Sequence, residues 1–247
     1  VIGGWLPEFL KDKKYIQNKL KSFDCIYVET TIMKELLEKQ GFENVFVMPN
    51  CKELLILDEN EVSYPEKVPF KLCTFSRVLK EKGIEDAIEA VQFLNKKYRK
   101  EVFKLDIYGQ VDEKYKMKFK RMQDEFPNYV QYKGLVPYDK SVSILKEYYA
   151  LLFPTYYPGE GFAGTLIDAM AAGLPVIASD WKYNPEIVIK NKTGFLFSAG
   201  NEESLIEVLE QIYENPNLCN NMRLRCIKEA HNYLPSNVIK ILLKNME

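Results

Sequence analysis

Histidine is nearly absent from this chain of 247 residues; His231 is its single copy. The five cysteines, Cys25, Cys51, Cys73, Cys219 and Cys226, are scattered, and none forms a Cys-x-x-Cys pair. These shortages speak against a His/Cys zinc centre, and unpatterned thiols fit a reducing compartment such as the cytoplasm. Cys25 and Cys73 stand in strand-like runs and read as small buried hydrophobes. Cys219 and Cys226, seven apart, share one helical face and read as core. A charge surplus is missing as well: 34 Lys and Arg offset 35 Asp and Glu. The basic face that a nucleic-acid partner requires is therefore not expected. No apolar run approaches the ~18 residues of a membrane-spanning helix. Neither an internal repeat nor a low-complexity tract is visible.

Hydrophobic residues make up 47% of the chain, enough for a sizeable core. The opening VIGGWLPEFL reads as the interior of a longer polypeptide, so a fragment is expected. Residues 1–22 suggest a turn at Gly3 and Gly4, then one Lys-rich amphipathic helix anchored by Phe9, Tyr15, Ile16, Leu20 and Phe23. Its lysines read as a solvated face, with membrane contact at most peripheral. A strand over 23–30, a helix capped by Thr30 or Thr31 and ended near Gly41, and a strand over 44–51 make a β-α-β unit. Residues 50–69 read as a linker. Strands are then expected at 70–76, 103–109, 129–133, 149–153, 174–178 and 194–197. Helices are expected at 83–99, 112–126, 139–147, 163–172, 183–190 and 202–214. This alternation predicts an α/β fold, a parallel sheet with helices on both faces. After 216 the chain is helical; Pro235 breaks it, and a last helix runs from Asn237 to Met246.

Chemistry concentrates at residues 160–168, EGFAGTLID. The preceding ALLFPTYYPG reads as a buried strand ended by Pro and Gly, and the helix that follows is stopped by Gly173, Leu174 and Pro175. A strand, a Gly-containing turn and a helix start form an anion pocket, because the first amides of a helix have no internal partner. Glu160 stands at its mouth and Asp168 about two turns into the helix. A second motif, TFSRVLKEKGIEDAIEAV over 74–91, runs from a strand into Arg77, then Lys82 and Gly83. The helix after it has Ile84, Ala87, Ile88, Val91 and Leu94 on one face. Arg presents a planar fork to phosphate oxygens and Lys a point charge. The layout suits a ligand with a diphosphate centre and hydroxylated ends, which lies beyond the carboxyl ends of the strands.

In their order these motifs resemble the signatures of retaining GT-B glycosyltransferases of family four, the group 1 transferases. That family carries Glu, then Gly-Phe-Gly, then a second Glu eight positions after the first. Here Ala163 replaces the usual Gly and Asp168 the second Glu. The second motif is similar to the family's Gly-Arg-Leu…Lys-Gly, with Ser76 ahead of the Arg; Lys82, not Lys80, fits the Lys-Gly step. The resemblance spans roughly 45–247. It implies a Rossmann-like donor-binding domain over 70–232. Residues 1–49 resemble the tail of an acceptor-side N-terminal domain that is otherwise missing. Residues 50–69 would be the linker, and 233–247 a helix that crosses back.

Several roles follow from the resemblance. Arg77 and Lys82 grip the donor diphosphate with amides near Ala163, Gly164, Thr165 and Leu166, in place of a divalent metal, so no metal or other cofactor is expected. Glu160 accepts from sugar hydroxyls, and Gly161 and Phe162 belong to the donor-binding turn; the alternative for Glu160 is a covalent nucleophile. Asp168 accepts from the ribose. Gly109, in LDIYGQ, would lie near the donor, although a plain strand-ending turn also explains it. Leu135 and Val136, in YKGLVP, would touch the nucleobase, or form another turn. Glu186 sits at a helix start, where the dipole alone favours it; Trp181 reads as core. The implied function is transfer of a sugar from a nucleotide diphosphate sugar to a glycan, lipid-linked or other acceptor. The alternatives are a non-catalytic nucleotide-sugar-binding module, or a phosphorylase or epimerase of the same fold. The single His speaks against an epimerase, and no pyridoxal-binding Lys can be identified.

Overall fold

The computed structural model describes residues 4–244. The expected turn residue Gly3 and the end of the last helix, Asn245 and Met246, lie outside them. The first unit opens with two short helices where one was expected: α1 (Leu6–Leu10) and α2 (Lys14–Lys21). Lys13 leaves helical geometry between them (φ −113°, ψ 61°). Strand β1 (Ile26–Val28), helix α3 (Thr31–Glu38) and strand β2 (Val45–Val47) follow, and the two strands pair in parallel. The Thr30 hydroxyl caps α3 by accepting from Met33 N at 3.2 Å. Beyond α3, Gly41 takes the left-handed conformation (φ +78°) that turns the chain back to β2.

Six parallel strands form the main sheet: β3 (Phe70–Phe75), β4 (Phe103–Tyr108), β5 (Val130–Gly134), β6 (Ala150–Phe153), β7 (Val176–Ser179) and β8 (Gly194–Phe197). Their spatial order is β5-β4-β3-β6-β7-β8. The chain builds outward from β3 to β5, returns to lay β6 against the other side of β3, and builds outward again. A crevice opens where the direction reverses, beyond the carboxyl ends of β3 and β6. Every residue of β6 and β7 is buried, which is why β6 reads as an unbroken apolar run and β7 as one up to the buried Ser179. Edge strand β5 alternates instead.

Helices cover both faces. Helix α4 (Ile84–Lys97) packs with α9 (Glu202–Glu214), while α7 (Gly164–Ala171) packs between α6 (Ser141–Leu145) and α11 (Arg223–Ala230). Three further helices are α5 (Lys116–Asp124), α8 (Asn184–Ile187) and α10 (Asn217–Asn220). The last, α12, spans Pro235–Lys244, so Pro235 opens the helix expected to start at Asn237. Arg223 is fully buried and donates to the carbonyls of Tyr148 (2.8 Å), Tyr149 (3.2 Å) and Gly173 (3.4 Å). It thereby ties α11 to the entry of β6 and the exit of α7.

Some expectations are corrected. Helix α5 starts at Lys116 and not at 112, because the Asp112 carboxylate accepts from Lys114 N (3.0 Å) and closes a turn first. The region expected as a helix over 139–147 opens with a 3₁₀ turn, leaving α6 only Ser141–Leu145. Cys25 is half-buried, unlike Cys73. Trp181 is half-buried too, and its indole N–H donates to Tyr157 O at 2.8 Å.

Candidate functional site

Two loops meet at the crevice. The first leaves β3 through Ser76 and Arg77 and makes a 3₁₀ turn at Lys80–Lys82 that ends on Gly83. Gly83 has φ +70°, and a Cβ there would lie 2.1 Å from Pro154 O. Only glycine lets this turn press against the loop leaving β6. That contact, fastened by Tyr156 N donating to Glu81 O (2.8 Å), drives Lys82 inward. Its ammonium donates to Glu160 Oε2 at 2.6 Å, and the Thr155 hydroxyl donates to the same oxygen at 2.6 Å. The Arg77 guanidinium and the Lys82 ammonium both face the Tyr157 ring, each 5.2 Å from its centroid.

Arg77, Gly109, Gln110, Leu135, Val136, Thr165 and Asp168 line one cleft of about 330 Å³. Its floor is tight. Gly109 has φ +134°, and a Cβ there would sit 1.7 Å from Ser76 O. Leu135 and Val136 form the outer rim, with Leu135 69% exposed. The tip of α7 enters the cleft with no side-chain cap and no acid in its first turn. The amides of Gly164 and Thr165 have no hydrogen-bond partner among the described residues, and neither has the buried Thr165 hydroxyl. Orphan donors at a helix start favour an anion electrostatically and by hydrogen bonding.

Asp168 is the fifth residue of α7, about one turn in and not two. Lys52 donates to both its carboxylate oxygens, at 2.7 and 2.8 Å. Burial raises the Asp168 pKa above the ordinary 3.8, and hydrogen bonds from Lys52 and Ser141 oppose the rise. Glu160 and Lys82 do not line this cleft; buried, they are bound to each other. Phe162 turns its ring away and packs edge-on against Tyr233, centroids 5.2 Å apart. Its backbone N–H donates to Glu29 Oε2 (3.2 Å), and its carbonyl accepts from Asn50 Nδ2 (3.0 Å). Glu186 serves a helix other than its own: Thr31 N and Ile32 N, at the start of α3, donate to its carboxylate at 2.6 and 3.0 Å.

Sequence reasoning missed Lys52, Thr155, Tyr157 and Glu29. The only signal for Lys52 was its place two residues after the Asn50 that ends a strand-like run; nothing local marked the others.

A sequence model of the family described as "Glycosyl transferases group 1" matches residues 58–232. The chain is 26% identical over 181 residues to an uncharacterized glycosyltransferase of Methanocaldococcus jannaschii, covering 73% of this chain and 44% of that protein. It is 25% identical over 226 residues to the UDP-N-acetylglucosamine–peptide N-acetylglucosaminyltransferase GtfA subunit of Streptococcus gordonii, covering 87% of this chain and 43% of that protein. Among solved structures, the pneumococcal O-GlcNAc transferase GtfA in complex with UDP and GlcNAc matches with a TM-score of 0.75 at 24% identity, over 96% of this chain and 47% of that one. The chain thus spans less than half the length of these three proteins.

Proposed function

The chain belongs to the group 1 glycosyl transferases, and from that premise we propose that it carries the donor site of a retaining enzyme. Such an enzyme moves a sugar from a nucleotide diphosphate sugar to a glycan, lipid-linked or other acceptor. One observation carries the reading: the uncapped tip of α7, with its unpaired amides and unpartnered Thr165 hydroxyl, shares a cleft with the Arg77 guanidinium. A diphosphate satisfies all of these groups at once. As the bond to the sugar breaks, charge grows on the leaving diphosphate, and oriented donors stabilise that charge without reorganising. Lys82 and Thr155 hold Glu160 in place through one carboxylate oxygen, and its other oxygen accepts from a sugar hydroxyl. Asp168, steadied by Lys52, accepts from the ribose, and Leu135 and Val136 cover the base. With the Arg77 guanidinium and a helix tip facing the diphosphate, the site is read as working without a divalent metal.

Residues 1–49 are assigned to the end of the acceptor-side domain and 70–232 to the donor domain. The return of the terminal helix is supported by Lys52 N donating to Tyr233 O (3.2 Å) and by the groove that Met48 and Cys51 share with Val238 and Ile239. The named relative and the solved structure make UDP-N-acetylglucosamine the first donor to try. Acceptor-side groups come largely from residues outside this chain, so it binds donor and transfers sugar poorly by itself.

Calorimetric titration with UDP and UDP-N-acetylglucosamine, with and without EDTA, tests the reading, set beside a transfer assay on the same sample. Binding that survives EDTA with little turnover is expected. Absence of binding to any of a panel of nucleotide sugars would overturn the donor site, and binding only with added metal would overturn the metal-free reading.

A further inference from the structure

Phe162 is held from three sides, and two of the holds come from the first 50 residues. Its N–H is taken by Glu29, at the end of β1, and its carbonyl by Asn50, at the start of the linker. Its ring is wedged against Tyr233. These contacts join residues 133 and 112 positions apart. Gly161 leaves room for the first: a Cβ there would crowd Glu29 Oε2 at 3.0 Å. The two hydrogen bonds fix the peptide groups on either side of Phe162, and the next residue, Ala163, is the N-cap of α7. The planes of these two peptides set where the first amides of the helix point. A carboxylate makes a stronger acceptor than a neutral oxygen, which helps to offset the burial of Glu29 that raises its pKa.

We propose that Glu29 and Asn50 are positioning residues for donor binding: by fixing both peptides of Phe162 they aim the free amides of α7 at the diphosphate. The inference rests on the donor-site reading above. Its consequence is that the sheet of β3 to β8 does not bind donor at full strength by itself; the first unit supplies part of the alignment.

The test is calorimetric titration of UDP into the chain and its variants, with thermal melts to verify the fold. Glu29→Ala and Asn50→Ala are each expected to weaken UDP about tenfold. Glu29→Gln, which retains an acceptor oxygen, recovers most of the affinity. Glu29→Asp holds the charge but falls a methylene short, so it behaves like Glu29→Ala and serves where the alanine variant does not fold. The double variant falls short of the product of the single effects, because both residues hold one target. Glu186→Gln weakens a different cross-unit contact, that to α3, and leaves UDP affinity near wild type. Unchanged affinity in folded Glu29→Asp and Asn50→Ala chains would overturn the proposal. So would an equal loss in Glu186→Gln, which would mean that docking of the units, not aim of the turn, matters. A wild-type chain that binds no UDP strikes the donor-site reading instead, a result distinct from wild-type binding with unaffected variants.

Discussion

Lys82 and Glu160 meet at 2.6 Å with side chains only 9% and 7% exposed. Burying two charges costs several kcal/mol each, which their attraction offsets only when further hydrogen bonds complete the shell. Here the Thr155 hydroxyl adds one to the same carboxylate oxygen. Removing one partner is therefore worse than removing both. Lys82→Met is expected to destabilise by about 3–5 kcal/mol, read from urea midpoints. Adding Glu160→Gln restores most of that stability without restoring donor affinity. A double variant as unstable as the single one would show that packing, not charge pairing, dominates.

Arg77 is exposed and has no carboxylate partner among the described residues. Its loss should leave the melting temperature within a degree or two while weakening UDP at least tenfold. Arg77→Lys should recover little, because the ammonium lacks the planar fork. Titrations of UDP at two salt concentrations check this: the wild-type chain loses more affinity with salt than Arg77→Ala does.

Asp168 yields a pH signature. Its folded pKa is raised from 3.8 by burial, so the folded chain binds more protons than the unfolded one just above that value. Stability from this group falls as pH rises from 3.8 through the folded pKa. Lys52→Met removes the hydrogen bond and charge that oppose the rise. The decline should then deepen and extend to higher pH, measured as urea midpoints between about pH 4 and 7. Asp168→Asn should abolish the difference between the two backgrounds.

Arg223 is a structural strut. Replacing it with Met strips donors from three carbonyls in the core. Each unsatisfied buried group costs about 1–3 kcal/mol, so a loss of about 3 kcal/mol or more is expected, with UDP affinity retained in the folded fraction. A change below about 1 kcal/mol would mean that water or repacking replaces the guanidinium.

The fold was legible where physics is local. β6 and β7 lie inside the sheet, so ALLF and VIA read as apolar runs, with the buried Ser179 closing β7, and the period of α4 survives in Ile84, Ala87, Ile88 and Val91. The helix tip of α7 was legible too, from its Gly turn after a strand. The start of α5 was not, because an Asp112 side chain competed with helix formation. The partners of the site were illegible for another reason. Lys52 finds Asp168 across 116 residues, and Glu186 finds α3 across 155. No periodicity encodes such meetings; each is created when separate strands come to lie side by side.

Gly109, wedged against Ser76 O, leaves no volume for even a methyl group on the cleft floor. Descendants of this chain that switch to another nucleotide must therefore keep the bottom and vary the lip at Leu135, which solvent surrounds, and at the half-buried Val136 beside it. An engineer seeking altered base preference should place the library there.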